Sequence, residues 1–197
     1  MRAFPSIVVI GGSDGGAEAL STILKHLPGT FAAPVLAAIT INPRRLRRLP
    51  AILSRSRRLP VHLAADGDPI REGRVYLAPA EYQMIASARN VYLSDAARRL
   101  GYRSTIDPLF ASAAVAFAER VIGVILSGAS EDGVVGLRTI KRAGGITIVQ
   151  EPGSAAFSRM PSSALATGSV DHVLPAREIG PALAILVHDS QVLRRTA

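Results

Sequence analysis

Residues 7 to 16 read Ile7-Val-Val-Ile-Gly-Gly-Ser-Asp-Gly-Gly16. Four apolar residues run into a glycine-rich turn that presents one hydroxyl, Ser13. The stretch 14–27 that follows carries Ala17, Leu20, Leu24 and Leu27 at helical spacing. A strand, a sharp turn and a helix place Ser13 at a helix N-terminus, where free backbone N–H groups and the helix dipole favour negative charge. This geometry suits a nucleophilic serine and an anion-holding turn equally well.

Outward from this turn, apolar strands alternate with helical stretches. Strands are expected at 7–10, 35–41, 61–64, 75–78, 121–126, 146–149 and 172–174, and a β-hairpin at 82–86 and 91–94 around Ala88-Arg89-Asn90. Asp107-Pro108 predicts an N-cap followed by proline at the first helical position, and Gly144-Gly145 and Gly168 read as helix stops. The alternation predicts an α/β fold, a doubly wound and mostly parallel sheet with helices on both faces. In such folds ligands sit at the carboxyl ends of the strands. Three of those ends are polar: Gly11 to Gly16, Thr40-Ile41-Asn42-Pro43, and Ser127 to Gly133.

At 197 residues and 48% hydrophobic content, the chain is expected to form one domain spanning 1–197 with a continuous core. No apolar run reaches the ~18–20 residues of a membrane span. The first five residues lack the apolar segment of a secretion signal, and a cytoplasmic location is the default expectation. Without cysteine there is no disulfide, no thiolate nucleophile and no cysteine-ligated metal. His26, His62, His172 and His188 are scattered, so no metal or other cofactor is expected.

Net charge is +8, and all but Lys25 and Lys141 of the 23 basic residues are arginine. The densest run is Arg44, Arg45, Arg47, Arg48, Arg55, Arg57 and Arg58. Leu46, Leu49 and Leu53 punctuate it at roughly helical spacing, and Pro50 is expected to interrupt the helix. Such a run is a solvated helix face or a docking surface for an acidic protein. Nucleic acid is disfavoured, since no aromatic RNA-binding signature or zinc finger accompanies it.

Gly11-x-Ser13-x-Gly15 matches the nucleophile elbow of α/β-hydrolases, and Ser13, Asp132 and His172 even follow that fold's chain order. That fold runs several strands before its nucleophile, whereas here there is one. The dinucleotide fingerprint fails at its second glycine, which is Ser13, and no lysine completes a phosphate-binding loop. Asp132, in a Gly-rich loop before a helix, reads either as an N-cap or as an active-site carboxylate.

Several blocks in order carry a more specific signal. They are Ile10-Gly-Gly-Ser-Asp-Gly-Gly16, Glu72-Gly-Arg-Val-Tyr-Leu-Ala-Pro79, Ser104-Thr-Ile-Asp-Pro-Leu-Phe110, Gly123-Val-Ile-Leu-Ser-Gly128 with Glu131-Asp-Gly133, Ala143-Gly-Gly-Ile-Thr-Ile-Val-Gln150, and Met160-Pro161. Together they resemble the catalytic domain of the chemotaxis-receptor glutamate methylesterases, the CheB type, over residues 6–187. The resemblance implies a Rossmann-like three-layer fold with a small β-hairpin insertion. It also implies hydrolysis of γ-glutamyl methyl esters, or glutamine deamidation, by a Ser–His–Asp triad. Ser13 then matches the nucleophile and Asp132 the carboxylate that orients the imidazole. The partners implied are acidic helices of a chemoreceptor or related signalling protein, met by the basic segment 44–58 and Arg103. The family's usual receiver domain is not expected, since the first core strand begins at residue 7.

The chain departs from the family pattern where chemistry depends on it. The family's histidine belongs to a Gln-His-x-Pro motif, matched here by Thr40-Ile41-Asn42-Pro43, so Ile41 stands at the position of the base. Losing the triad histidine of a serine hydrolase costs on the order of 10⁶ in kcat. Asp14 follows the serine where a threonine is usual, and its charge opposes a developing oxyanion. Ala129 and Ser130 alter the expected oxyanion wall, and Gln83 stands where a histidine is usual. The expectation is an impaired homologue. The alternatives are an active methylesterase or glutamine deamidase with an unorthodox base, and an anion- or nucleotide-binding module at the Ser13 turn.

Overall fold

Strand β1 (Ile7–Gly12) is buried along its whole length. Its side chains alternate between two cores: Val8 and Ile10 enter one, Ile7 and Val9 the other. A strand apolar on both faces belongs at the centre of a parallel sheet covered by helices on both sides. The computed structural model, which describes residues 6–54, 59–80, 82–96 and 104–195, has that architecture.

Six further strands share the sheet with β1: β2 (Val35–Ile39), β3 (Val61–Leu63), β4 (Val75–Leu77), β7 (Val121–Ile125), β8 (Ile146–Gln150) and β9 (His172–Leu174). Their order across the sheet is β3-β4-β2-β1-β7-β8-β9, and every neighbouring pair is parallel. An antiparallel hairpin, β5 (Gln83–Ala86) and β6 (Val91–Ser94), forms a separate small sheet. Helices α1 (Gly16–His26), α2 (Pro43–Leu53) and α6 (Ala176–Arg195) supply one core, through residues such as Leu20, Leu46, Leu49, Ile179 and Leu183. Helices α3 (Ile106–Phe117), α4 (Val134–Arg142) and α5 (Arg159–Leu165), with the hairpin, supply the other through Phe110, Leu137, Met160 and Met84. The doubly wound, mostly parallel α/β fold with a hairpin insertion is therefore observed.

Local structure differs from the sequence expectations at three places that bear on the site. Strand β2 stops at Ile39 rather than 41, so Thr40 and Ile41 belong to the loop. Pro50 does not interrupt α2. Leu46, Leu49 and Leu53 are all buried on one face. Their burial holds the helix through the proline, which sits near the C-terminal end where few intrahelical bonds remain to lose. Asp107 is not the N-cap of α3. Thr105 holds that position, and Asp107 lies inside the first turn.

Candidate active site

The chain leaves β1 toward β2 on one side of the sheet and leaves β7 toward β8 on the other. Adjacent strands whose connections diverge open a crevice at their carboxyl ends. The Ser13 turn and the loop following β7 meet there. Ser13 N donates to the Ser127 carbonyl at 3.0 Å, and Ala129 N donates to Ser13 Oγ at 3.0 Å. Ser127 Oγ donates to the Asp14 carbonyl at 2.7 Å and accepts from Phe157 N at 3.0 Å. The buried Gln150 at the end of β8 accepts Ser127 N at 2.9 Å through its Oε1. Ser13 is only 5% exposed. A methyl group on Gly128 would lie 2.6 Å from Ser13 Oγ, so glycine is what lets this loop close on the hydroxyl. Helix α1 begins at Gly16, after Gly15 as N-cap in the left-handed region (φ 76°), two residues later than its apolar periodicity suggests.

Asp132 serves as a cap, though not for the helix that follows it. Helix α4 is preceded by Gly133, with no side-chain cap. The Asp132 carboxylate instead reaches the start of α3. Its Oδ1 accepts Ser104 Oγ (2.7 Å) and Asp107 N (3.0 Å). Its Oδ2 accepts Thr105 N (2.8 Å) and Ile106 N (3.0 Å). A negative charge facing the first N–H groups of a helix satisfies otherwise unpaired donors and complements the dipole. Gln83 Nε2 donates to the Ser104 carbonyl at 2.9 Å and steadies the segment that carries those donors. Asp107 in turn accepts Gly136 N from α4 at 2.7 Å. Burial raises the Asp107 carboxyl above its usual range, and the nearby Asp132 charge adds to that rise, while the N–H of Gly136 opposes it.

The loop after β2 is linked by hydrogen bonds to the surroundings of both Ser13 and Asp132. Thr40 N donates to the Gly12 carbonyl at 2.9 Å, next to Ser13 in the chain. Thr40 Oγ1 shares a 3.0 Å hydrogen bond with Thr105 Oγ1, and Thr105 N reaches Asp132. Ile41, one residue on, packs half-buried against the core beneath α1 and α2. No titratable side chain bridges from this loop to Ser13 among the described residues.

The four histidines lie elsewhere. His26 bonds the Thr22 carbonyl within α1, and His188 pairs with its neighbour Asp189 on α6. His62, on edge strand β3, stacks edge-on against Tyr76. His62 and His172 occupy opposite edge strands, each three strand spacings, about 14 Å, from β1. The Ser13–Asp132–His172 constellation that chain order allowed is thus not assembled. Asp14 is exposed, and Arg103 lies outside the described residues, as do Arg55, Arg57 and Arg58. No described group of three or more His, Asp or Glu side chains could hold a metal ion. No described helix is long and apolar enough to cross a membrane.

A family profile described as CheB methylesterase matches residues 8–183. The chain belongs to the CheB methylesterase family. A protein-glutamate methylesterase/protein-glutamine glutaminase 2 of Anaeromyxobacter dehalogenans is 41% identical over 177 residues, which cover 90% of this chain and 52% of that protein. A putative enzyme of the same name from Leptospira interrogans is 36% identical over 173 residues, covering 87% of this chain and 90% of that one. The chain therefore spans about half the length of the first relative and nearly all of the second. The CheB methylesterase catalytic domain of Thermotoga maritima superposes with a TM-score of 0.86 at 31% identity, over 92% of this chain and 98% of that domain.

Within this CheB methylesterase fold, several polar residues of the quoted blocks frame the crevice, though the motifs do not show which partners they bond. Thr40, Ser104, Thr105, Ser127 and Gln150 carry the bonds described above. Ser127 and Gln150 did leave a signal, a polar side chain closing an otherwise apolar strand. Thr40 and Thr105 stand in stretches singled out by sequence, but their pairing left no signal, because the contact spans 65 residues of chain.

Proposed function

We propose that this chain is a CheB-type protein-glutamate methylesterase homologue whose catalysis is impaired and whose role is to bind acidic helices of a chemoreceptor or related signalling protein. The observation that carries the reading is Ile41. It follows Thr40, which is bonded to Gly12 beside Ser13, and Thr40 also links through Thr105 to Asp132. By the resemblance to the family, position 41 matches the triad histidine, the group that takes a proton from Ser13 and is oriented by Asp132. Isoleucine has no lone pair to offer. Ser Oγ is a weak nucleophile until a base removes its proton, and the same base must return that proton to the leaving alkoxide.

The rest of the crevice supports descent from a working esterase. Ser13 keeps a backbone N–H on its Oγ, and Asp132 keeps a charge facing the start of α3. An oxyanion site and binding alone leave roughly 10³–10⁴ over water, far short of a useful esterase.

The test is methanol release from a methylated chemoreceptor fragment. The wild-type chain should release methanol no faster than the roughly 10³–10⁴ over water that binding and an oxyanion site alone provide, and Ser13→Ala should not change that rate. Ile41→His restores the base and should give methanol release that Ser13→Ala abolishes. Turnover by the wild-type chain that depends on Ser13 would overturn the reading and favour an active methylesterase with an unorthodox base.

A further inference from the structure

Ile41 also belongs to a second feature. An open groove of about 510 Å³ lies between α1 and α2. Its apolar wall includes Ile41, Leu49 and Ile52, and its rim includes Lys25, Arg45 and Arg48. Ile52 is 48% exposed, a large aliphatic side chain left in water at the groove's edge. One acid, Glu18, faces these cations, and it pairs with Arg45 at 3.0 Å. Both partners of that pair are about two-thirds exposed (68% and 65%), so solvent screens it and a competing carboxylate can replace it.

Charge on α2 is arranged against the helix. Arg44, Arg45, Arg47 and Arg48 fill its first two turns, its first turn holds no acidic residue, and Asn42 caps it through a neutral side chain. Cations near a helix N-terminus oppose the dipole, and Arg44 with Arg48, four residues apart, repel each other. An acidic partner relieves both effects. An apolar floor with a basic rim is the complement of an amphipathic helix that carries carboxylates beside its apolar stripe. A polyanion without apolar groups would leave Ile41 and Ile52 unused.

We propose that the groove between α1 and α2 is a docking site for an acidic amphipathic helix of a partner protein. The proposal rests on the reading of this chain as a partner-binding homologue, and it gives Ile41 a positive role. The residue that removes the base extends the apolar floor on which the helix lies. Ala17, in the first turn of α1, sets one end of the groove close to the Ser13 turn.

The experiment uses the full chain and a fluorescent, side-chain cross-linked helix of about 16 residues, because shorter uncrosslinked helices are marginal in water. The helix carries leucine along one face and glutamate on its flanks, and binding is followed by anisotropy. Saturable binding should weaken with salt. Replacing the glutamates by lysine should abolish it. Arg48→Glu and Ile52→Ser, both at exposed positions, should each raise Kd about tenfold. Ile41→His should raise it severalfold, and Val135→Ser, on the opposite face of the sheet, should leave it unchanged. Amide shifts on titration should fall on α1 and α2.

The proposal is overturned if the leucine–glutamate helix does not bind, if the lysine analogue binds as well, or if the shifts map elsewhere. Duplex DNA or anionic vesicles binding as tightly, with the same sensitivity to Arg48→Glu, would make the surface a general polyanion site and overturn it too. The probe holds no ester, so this result is independent of methanol release. Turnover by the wild-type chain would remove the impaired-enzyme reading and leave the groove standing, and a failed groove leaves the chemistry of Ser13 untouched.

Discussion

Two strand ends lie side by side in this molecule and differ in kind. After β1 and β7 the backbone is tied by hydrogen bonds on every side: Ser13 to Ser127 and Ala129, Ser127 to Asp14, Phe157 and Gln150. After β2 the loop bonds to the frame through Thr40, turns an isoleucine into apolar surroundings and then caps α2 through Asn42. The first region resists change because each of its polar groups also holds the sheet's switch point together. In the second, Thr40 joins the frame, while the side chain of Ile41 packs against the apolar core. The side chain at position 41 can therefore change without disturbing the arrangement around Ser13.

The strongest way to break this contrast is at Asp132. If its carboxylate is part of the frame, Asp132→Ala strands three backbone N–H groups and the Ser104 hydroxyl at the start of α3. Charge-assisted hydrogen bonds are not additive, and a loss of about 3 kcal/mol is expected for the set. Asp132→Asn keeps one acceptor oxygen but loses the charge facing the dipole, and should fall between the two. Urea titrations of the three proteins measure this. Equal midpoints for wild type and Asp132→Ala would mean that Asp132 is not structural.

A smaller effect is expected at Gly128. A Cβ there would stand 2.6 Å from Ser13 Oγ and 2.7 Å from the end of Met160, which is fully buried. Gly128→Ala must displace the hydroxyl from Ala129 N and shift Met160, at about 2 kcal/mol for overpacking of this kind. Pairing it with Ser13→Ala sharpens the result. Removing the hydroxyl makes room for the methyl, so the double variant should be less destabilised than the two single losses combined. Simple additivity would show that the loop does not close on Ser13 in solution.

These sites also show what could be read from the chain alone. The switch point was legible because β1 is apolar without alternation and its turn is dense in glycine, two local signals that admit few other folds. The termini of α3 were not. Asp107-Pro108 has the local form of a cap, yet Thr105 holds the N-cap position and the carboxylate that accepts the first N–H groups is Asp132, 25 residues after Asp107 in the chain. Local pattern cannot register a carboxylate delivered by another loop. Pro50 misled for a related reason. A proline's local cost is visible in sequence, whereas the burial of Leu46, Leu49 and Leu53 that outweighs it depends on the sheet beneath. The groove between α1 and α2 was half legible: the arginines stood out, but not the apolar floor that Ile41 completes.

The smallest expected effect separates two carboxylates by the sign of their pH dependence. At the candidate site, burial and the Asp132 charge raise Asp107 above its unfolded value. The folded state then holds a proton that the unfolded state has released, so stability falls as pH rises through the unfolded and then the folded pKa. At the far side of the sheet the balance is reversed. Burial alone would raise Asp171, but the Lys141 ammonium and the N–H and hydroxyl of Thr147 outweigh it and hold the carboxyl low. Its contribution is complete above the unfolded pKa and is lost as pH falls through the folded one. Asp107→Asn keeps an oxygen for Gly136 N and should stabilise the chain at pH 7, with the gain vanishing in acid. Asp171→Asn should destabilise it at pH 7 by about 1 kcal/mol, the scale of a partly exposed ion pair, and this loss should also vanish in acid. Thermal melts of both variants between pH 3 and 7 test the pair, and the same sign for both would show that the candidate site does not strain its second carboxylate.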